Sequence, residues 1–201
     1  MMTRCAWPSD NDDLLHYHDN EWGRPTTDSH RLFEKICLEG FQSGLSWLTI
    51  LRKRDEFRRV FAGFDFEKVA TFGENDVAQL LDNPGIIRHR GKIEATINNA
   101  QRAIELVETE GSLVDWVWGW ALLEPEREET PDGPAVAAIT NRSTALAKEL
   151  KTRGWRFFGP TTAYAFMQSE GLTNDHDNGC FVHDACEEER AAFLAGRELR
   201  P

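Results

Sequence analysis

Positive charge is scarce in this sequence: 23 Lys and Arg face 34 Asp and Glu, for a formal net charge of -11 at pH 7. That balance excludes a uniformly basic polyanion binder, so any nucleic-acid contact has to run through local patches. Long apolar runs are missing too. No stretch reaches membrane-spanning length, and Arg4 and Cys5 near the N-terminus are not followed by an apolar signal segment. The expectation is a soluble, cytoplasmic protein with no membrane partner. Cysteine is sparse, at four residues, and without a secretory signal this favours reduced thiols or metal ligands over disulfides. Internal repeats, low-complexity tracts and strand–helix–strand alternation are also lacking, so nothing divides the chain or points to a parallel sheet.

Aromatic residues, by contrast, are plentiful. Seven Trp and twelve Phe in 201 residues can build a substantial core as one domain or as two closely packed lobes. After the capping residues Asp28-Ser29, Leu32, Phe33, Ile36 and Leu38 to Phe41 recur at helical spacing and predict a core helix. Trp47 to about Phe61 predicts an amphipathic helix with Arg52, Lys53, Arg54, Arg58 and Arg59 on its outer face. Further helices are expected at Phe66 to Phe72, Asp76 to Leu81, Arg90 to about Glu110, Leu113 to Leu122, Ser143 to Arg153 and Thr162 to Glu170, which makes the fold class all-α. Met1 to Thr27 lacks helical periodicity over most of its length and reads as irregular. Leu123 to Pro134 reads as a polar, acidic loop, and Trp155 to Phe158 as a core crossing.

Three local patterns carry chemistry. The first is Leu80 to Ala100, a helix, a turn at Asn83-Pro84-Gly85 and a second helix. Pro84 fixes φ, Gly85 is expected to supply a positive φ, and amide hydrogens freed at the tip converge with Arg88, His89, Arg90 and Lys92 where a phosphate could dock. The same residues also describe a plain helix–helix corner with a solvated basic face. The second pattern is Glu39, a carboxylate on an apolar helix, which needs partners or a raised pKa unless it turns to solvent. The third is Cys5 and His18 in the first segment with His176 and Cys180 three residues apart near the end. Two thiolates and two imidazoles suit tetrahedral zinc, with Cys186 or His183 as possible substitutes, and separately packed Cys and surface His as the alternative. A site using all four would be closed and therefore structural, clamping the chain ends.

The strings C-A-W-P, Y-H-D-N-E-W-G, L-F-E-K-I-C-L-E-G-F-Q-S-G-L-S-W, G-I-I-R-H-R-G-K-I and N-D-H-D-N-G-C follow one another between Cys5 and Cys180. In this order they resemble the 3-methyladenine DNA glycosylase I family. The resemblance implies a helix-hairpin-helix glycosylase fold spanning 1–201 as a single domain, two helical lobes around a base pocket, with 184–201 as an extra C-terminal helix or tail. It implies a structural Zn2+ held by Cys5, His18, His176 and Cys180, and Glu39 as the catalytic carboxylate that reads the flipped base. Trp7, Tyr17, Trp22 and Trp47 match the family's aromatic base pocket. Gly44-Leu45-Ser46 would be the wedge that fills the gap in the duplex, and Gly85, Arg88, Arg90 and Lys92 would grip the backbone. The partners implied are alkylated double-stranded DNA and 3-methyladenine, bound by a monomer.

Three departures stand out. Leu14 occupies a position where family members carry a further tyrosine, Ile87 replaces the second glycine usual in the broader superfamily's hairpin, and the tail after Cys180 exceeds the usual short ending. The Leu14 departure motivates a second reading, a lesion sensor without turnover, and an open metal site would motivate a third, a zinc-dependent hydrolase. With Lys92 on a phosphate, Lys92→Ala is expected to lower the salt slope of DNA binding by about 1.

Overall fold

Side-chain caps set most helix starts in the computed structural model of the chain, which describes residues 3–123, 127–130 and 133–200. Asn11 Oδ1 accepts from the Leu14 amide at 3.2 Å and opens α1 (Asp12–Asn20). The first segment is therefore not irregular throughout. The buried face of α1 is Tyr17 and His18, a polar-aromatic face that apolar periodicity does not register. Asp28 likewise caps α2 (Ser29–Gln42) by accepting from Arg31 N at 2.9 Å.

The helix expected over residues 47–61 is split into α3 (Trp47–Leu51) and α4 (Arg54–Val60), and Lys53 between them donates to the Pro84 carbonyl at 2.8 Å. Then follow α5 (Phe66–Val69), α6 (Glu74–Asp82), the long α7 (Arg90–Glu110) and α8 (Leu113–Trp118). Part of the expected acidic loop pairs instead as an antiparallel hairpin, β1 (Arg127–Thr130) with β2 (Gly133–Val136), Arg127 opposite Val136 and Thr130 opposite Gly133. It is the exception to the all-helical class among the described residues, and 124–126 and 131–132 lie outside them. Thr140 and Ser143 form a capping box for α9 (Asn141–Thr152), Pro160 starts α10 (Pro160–Ser169), and the tail folds as α11 (His183–Leu194).

Helix α2 is central. Every residue from Leu32 to Phe41 is buried, as expected of a helix covered on all sides, and it packs against α3, α7, α8 and α10. The core runs on through Phe57, Phe61 and Phe64 on one side and Trp118, Tyr164 and Phe166 on the other. The tail joins it: the Phe193 ring lies 4.5 Å from that of Trp118, and the Arg200 amide donates to Gly119 O at 2.6 Å. Among the described residues no helix is long and apolar enough to cross a membrane.

Candidate functional site

Burying Glu39 on α2 places it at the wall of a cavity of about 490 Å³. Tyr17 from α1, Trp47 from α3, and Trp7 and Trp22 from the flanking loops line the same cavity, so the five residues expected at the base site come together. The Tyr17 and Trp47 rings are tilted with centroids 5.3 Å apart, and Trp7 meets Trp22 edge-on at 5.2 Å. Trp7 remains 39% exposed, placing it at the rim. Leu14 is only half-buried and is not among the residues that line the cavity, so its departure leaves these aromatic walls intact.

The electrostatics centre on one helical turn. Glu39 is 4% exposed, its Oε1 lies 3.4 Å from Lys35 Nζ, and its Oε2 is buried with no partner. Burial pushes the Glu39 carboxyl up, against the pull of the Lys35 ammonium. Burial equally pushes the Lys35 ammonium down, opposed by Glu39 and Glu170. Glu170, at the end of α10, is held at about 7 by burial. Sequence reasoning missed Lys35 and Glu170. The signal for Lys35 was its position four residues before Glu39 on a helix read as core.

Next to the cavity, ligand atoms of Cys5, His18 and Cys180 lie within 4.8 Å of one another. Cys180 Sγ is 3.5 Å from His18 Nε2, while His18 Nδ1 meets Asp19 Oδ1 at 2.8 Å, the outer contact that orients a metal-binding imidazole. His176 is fully buried with its ring 5.1 Å from that of His18. Its Nδ1 bonds Asn174 Oδ1 at 3.0 Å and its Nε2 has no partner. His176 stands outside the converged three, but its orphaned nitrogen is what a fourth ligand would offer. Burial pushes the Cys5 thiol up to about 12 and His176 down to about 3, so a dication there would supply the charge that ionises the Cys5 thiol. The residues fit zinc. The proposed substitutes do not join them: His183 turns to Asp184 at 2.9 Å, and Cys186, though buried beside Cys5 and Cys180, is not one of the converging ligands.

The turn after α2 carries Gly44 and Leu45 into solvent. Gly44 adopts a φ of 81°, a backbone state that favours glycine, and Leu45 is 41% exposed. At the hairpin, the reason for Gly85 differs from the expected one. Its φ is not positive; a Cβ there would come within 2.5 Å of Glu56 Cγ, so close packing requires the glycine. Its amide donates to Asn83 Oδ1 at 2.8 Å, and Asn83 Nδ2 donates to Glu56 Oε1 at 2.6 Å. The amides of Ile87 and Arg88 have no partner among the described residues. Arg88 is exposed without an ion pair among them, and Arg90 is shared between Glu74 at 3.2 Å and Glu94 at 3.1 Å.

Lys92 does not face a phosphate. It is 7% exposed, and its Nζ donates to Phe41 O at 2.8 Å and Ser43 O at 2.6 Å, closing the end of α2. A helix C-terminus presents unpaired carbonyls, and a cation on the neighbouring helix satisfies them. The second basic group is also engaged: Arg52 with Asp13, Arg54 with Glu21, Arg58 with Glu34 and Arg59 with Glu56. In the expected core crossing only Trp155 and Phe158 are buried. Arg156 and Phe157 are exposed, with the Phe157 ring 6.0 Å from that of His89.

With this geometry in place, comparison with known proteins gives concordant results. A family model described as methyladenine glycosylase matches residues 7–183. The chain is 48% identical over 179 residues to DNA-3-methyladenine glycosylase 1 of Escherichia coli (strain K12), covering 89% of this chain and 96% of that one. It is 45% identical to DNA-3-methyladenine glycosylase of Haemophilus influenzae, covering 90% and 97%. A solved 3-methyladenine DNA glycosylase I superposes with a TM-score of 0.83 at 48% identity, covering 90% of this chain and all (100%) of that one. One from Staphylococcus aureus, solved for its 3-methyladenine recognition, gives 0.83 at 34% identity, covering 90% and 97%.

Proposed function

The chain belongs to the methyladenine glycosylase family, and from that premise we propose that it is a monofunctional DNA glycosylase that flips 3-methyladenine out of alkylated DNA and hydrolyses its N-glycosyl bond. The observation that carries this reading is Glu39 with an unpartnered buried Oε2 at a cavity walled by Trp7, Tyr17, Trp22 and Trp47. A 3-methyladenine nucleotide bears positive charge on its purine. Its glycosidic bond is already weakened, and cleavage releases a neutral base, so the enzyme has little acid catalysis to perform. An aromatic box attracts the cationic base over neutral adenine by about 0.5–2 kcal/mol per contact. Glu39 accepts a hydrogen bond from the exocyclic amine, and its charge adds to that preference.

Extruding the nucleotide costs roughly a few kcal/mol. Leu45, presented by Gly44, fills the space left in the stack, and the helix-hairpin-helix element at Asn83 to Arg90 grips the backbone through Gly85, the free amides of Ile87 and Arg88, and the Arg88 and Arg90 side chains. The enzyme works as a monomer. Cys5, His18, Cys180 and His176 would hold a zinc ion, whose contribution is to cross-link the two ends of the chain rather than to activate water.

The test is chromatography of the bases released from methylated DNA. Wild type should release 3-methyladenine, and Glu39→Gln should lose excision by far more than it loses affinity for lesion DNA. Binding without release would leave a lesion sensor, and equal losses in both would make Glu39 merely structural.

A further inference from the structure

Behind the cavity wall stands a buried cation. Lys35 is 7% exposed and does not line the base cavity. Its ammonium lies 3.4 Å from Glu39 Oε1, donates to the Tyr17 hydroxyl, and sits 3.7 Å from the centroid of the Trp47 ring and 4.7 Å from that of Tyr17. Beyond it opens a second cavity of about 240 Å³, lined by Lys35, Tyr17 and Glu170 among others. Thus one ammonium touches three of the residues expected to hold the base, from the side the base does not occupy.

A buried ammonium persists only where its partners repay its lost hydration. Here the partners are two carboxylates, one in front and one behind, and two electron-rich rings. The carboxylates of Glu21 and Glu34 nearby are neutralised by Arg54 and Arg58, which leaves Glu39 and Glu170 facing Lys35. Glu39 is in the converse position. Burial raises its pKa and so favours the protonated form, and a protonated carboxyl presents a donor and a weak acceptor where a cationic purine needs an anion.

We propose that Lys35 is a positioning residue for Glu39: its ammonium occupies Oε1, keeps the carboxylate ionised with Oε2 left for the base, and braces the Tyr17 and Trp47 rings from behind. The identity of the base rests on the glycosylase reading; the Lys35–Glu39 pair belongs to the free protein and is testable without substrate.

The experiment is a site-resolved carbon NMR titration of the Glu39 carboxyl in the free wild type, Lys35→Met and Lys35→Arg, assigned with Glu39→Gln. Resolving Glu39 itself matters because Glu170, Glu21 and Glu34 line the neighbouring cavity. The Glu39 midpoint should rise by about one pH unit or more in Lys35→Met and stay near its wild-type value in Lys35→Arg. One unit is about tenfold in the ionised fraction below both midpoints, so excision by Lys35→Met should fall increasingly behind wild type as the pH drops below the variant's raised midpoint and recover toward wild type above it, with DNA affinity unchanged. If Lys35→Met does not fold, Lys35→Gln removes the charge and keeps a polar contact, with the same upward shift expected. A Glu39 midpoint unmoved in the charge-free variants overturns the proposal, even if activity falls by one factor at every pH. If wild type releases no 3-methyladenine, the glycosylase reading fails while the titration still decides the role of Lys35.

Discussion

Replacing Lys92 by methionine separates a grip on DNA from a brace inside the fold. The Lys92 ammonium donates to Phe41 O at 2.8 Å and Ser43 O at 2.6 Å, the carbonyls that end α2 just before the Gly44-Leu45 turn. Hydrogen bonds from a charged donor are worth about 1.5–3 kcal/mol each, and a cation at a helix C-terminus adds roughly 0.3–1 kcal/mol. Two terms offset these. Ser43 is exposed, so water can replace the lysine at its carbonyl, and burial, which lowers the Lys92 pKa, is itself unfavourable. The net loss should be about 2–3 kcal/mol, which for a chain of this length is a fall in Tm of roughly 5–10 °C. Urea melts and thermal scans measure it directly. DNA affinity as a function of salt is the second readout, in which Lys92→Met should keep the wild-type slope while Arg88→Ala, exposed and without an ion pair among the described residues, lowers it by about 1. Unchanged melts together with a slope reduced by about 1 in Lys92→Met would refute the reasoning and return Lys92 to the phosphate backbone.

Zinc should be found by elemental analysis at about one ion per chain, and its removal by a chelator should lower Tm, with excision falling only as the fold does. Immediate loss of excision by a chain that stays folded would make the metal catalytic. Glu170 titrates at about 7 in the folded state against 4.5 unfolded. A raised carboxyl pKa contributes stability that is fully present below 4.5 and lost as the pH climbs through 7. Glu170→Gln should therefore stabilise by on the order of 3 kcal/mol at pH 8 and by less than about 1 kcal/mol at pH 5; equal gains at both pH values would show that Glu170 does not carry the penalty.

The apolar helices were legible because their spacing and caps agree: Asp28 caps α2, and the residues expected inside it are buried. Helix α1 was not, because its buried face is Tyr17 and His18, and hydrophobic periodicity cannot score a face built from a phenol and an imidazole. The site residues emerged through long matching strings, which name residue types but not directions. Lys92 lies in such a string among three exposed neighbours, yet the first turn of α7 points it inward at α2. Gly85 was expected at a positive φ and does not have one, since a single glycine does not tell a positive φ from a side chain packed where Cβ would be. The basic group from Arg52 to Arg59 looked like a surface patch because the carboxylate partners of Arg52, Arg54 and Arg58, namely Asp13, Glu21 and Glu34, are distant in sequence.

The Cys5–His18–Cys180 cluster and the aromatic cavity share a wall, so a zinc ion held there would bear on recognition without taking part in the chemistry. Tyr17 and His18 are consecutive on α1: the first faces the cavity and the second the metal cluster. Cys5 lines the cavity as well as the cluster. Trp22 lines the cavity while its ring stacks on His18 with centroids 6.1 Å apart and meets His176 edge-on at 4.5 Å. Any change in how the imidazoles are held therefore moves Trp22, and through their contact Trp7 at the rim. Among the described residues, the one hydrogen bond between a converging thiol and imidazole is the 3.5 Å contact of Cys180 with His18. Tetrahedral ligation would replace it with four bonds of fixed direction. The aromatic box would then gain rigidity from the metal much as Glu39 gains its charge from Lys35, each support standing just outside the cavity it shapes.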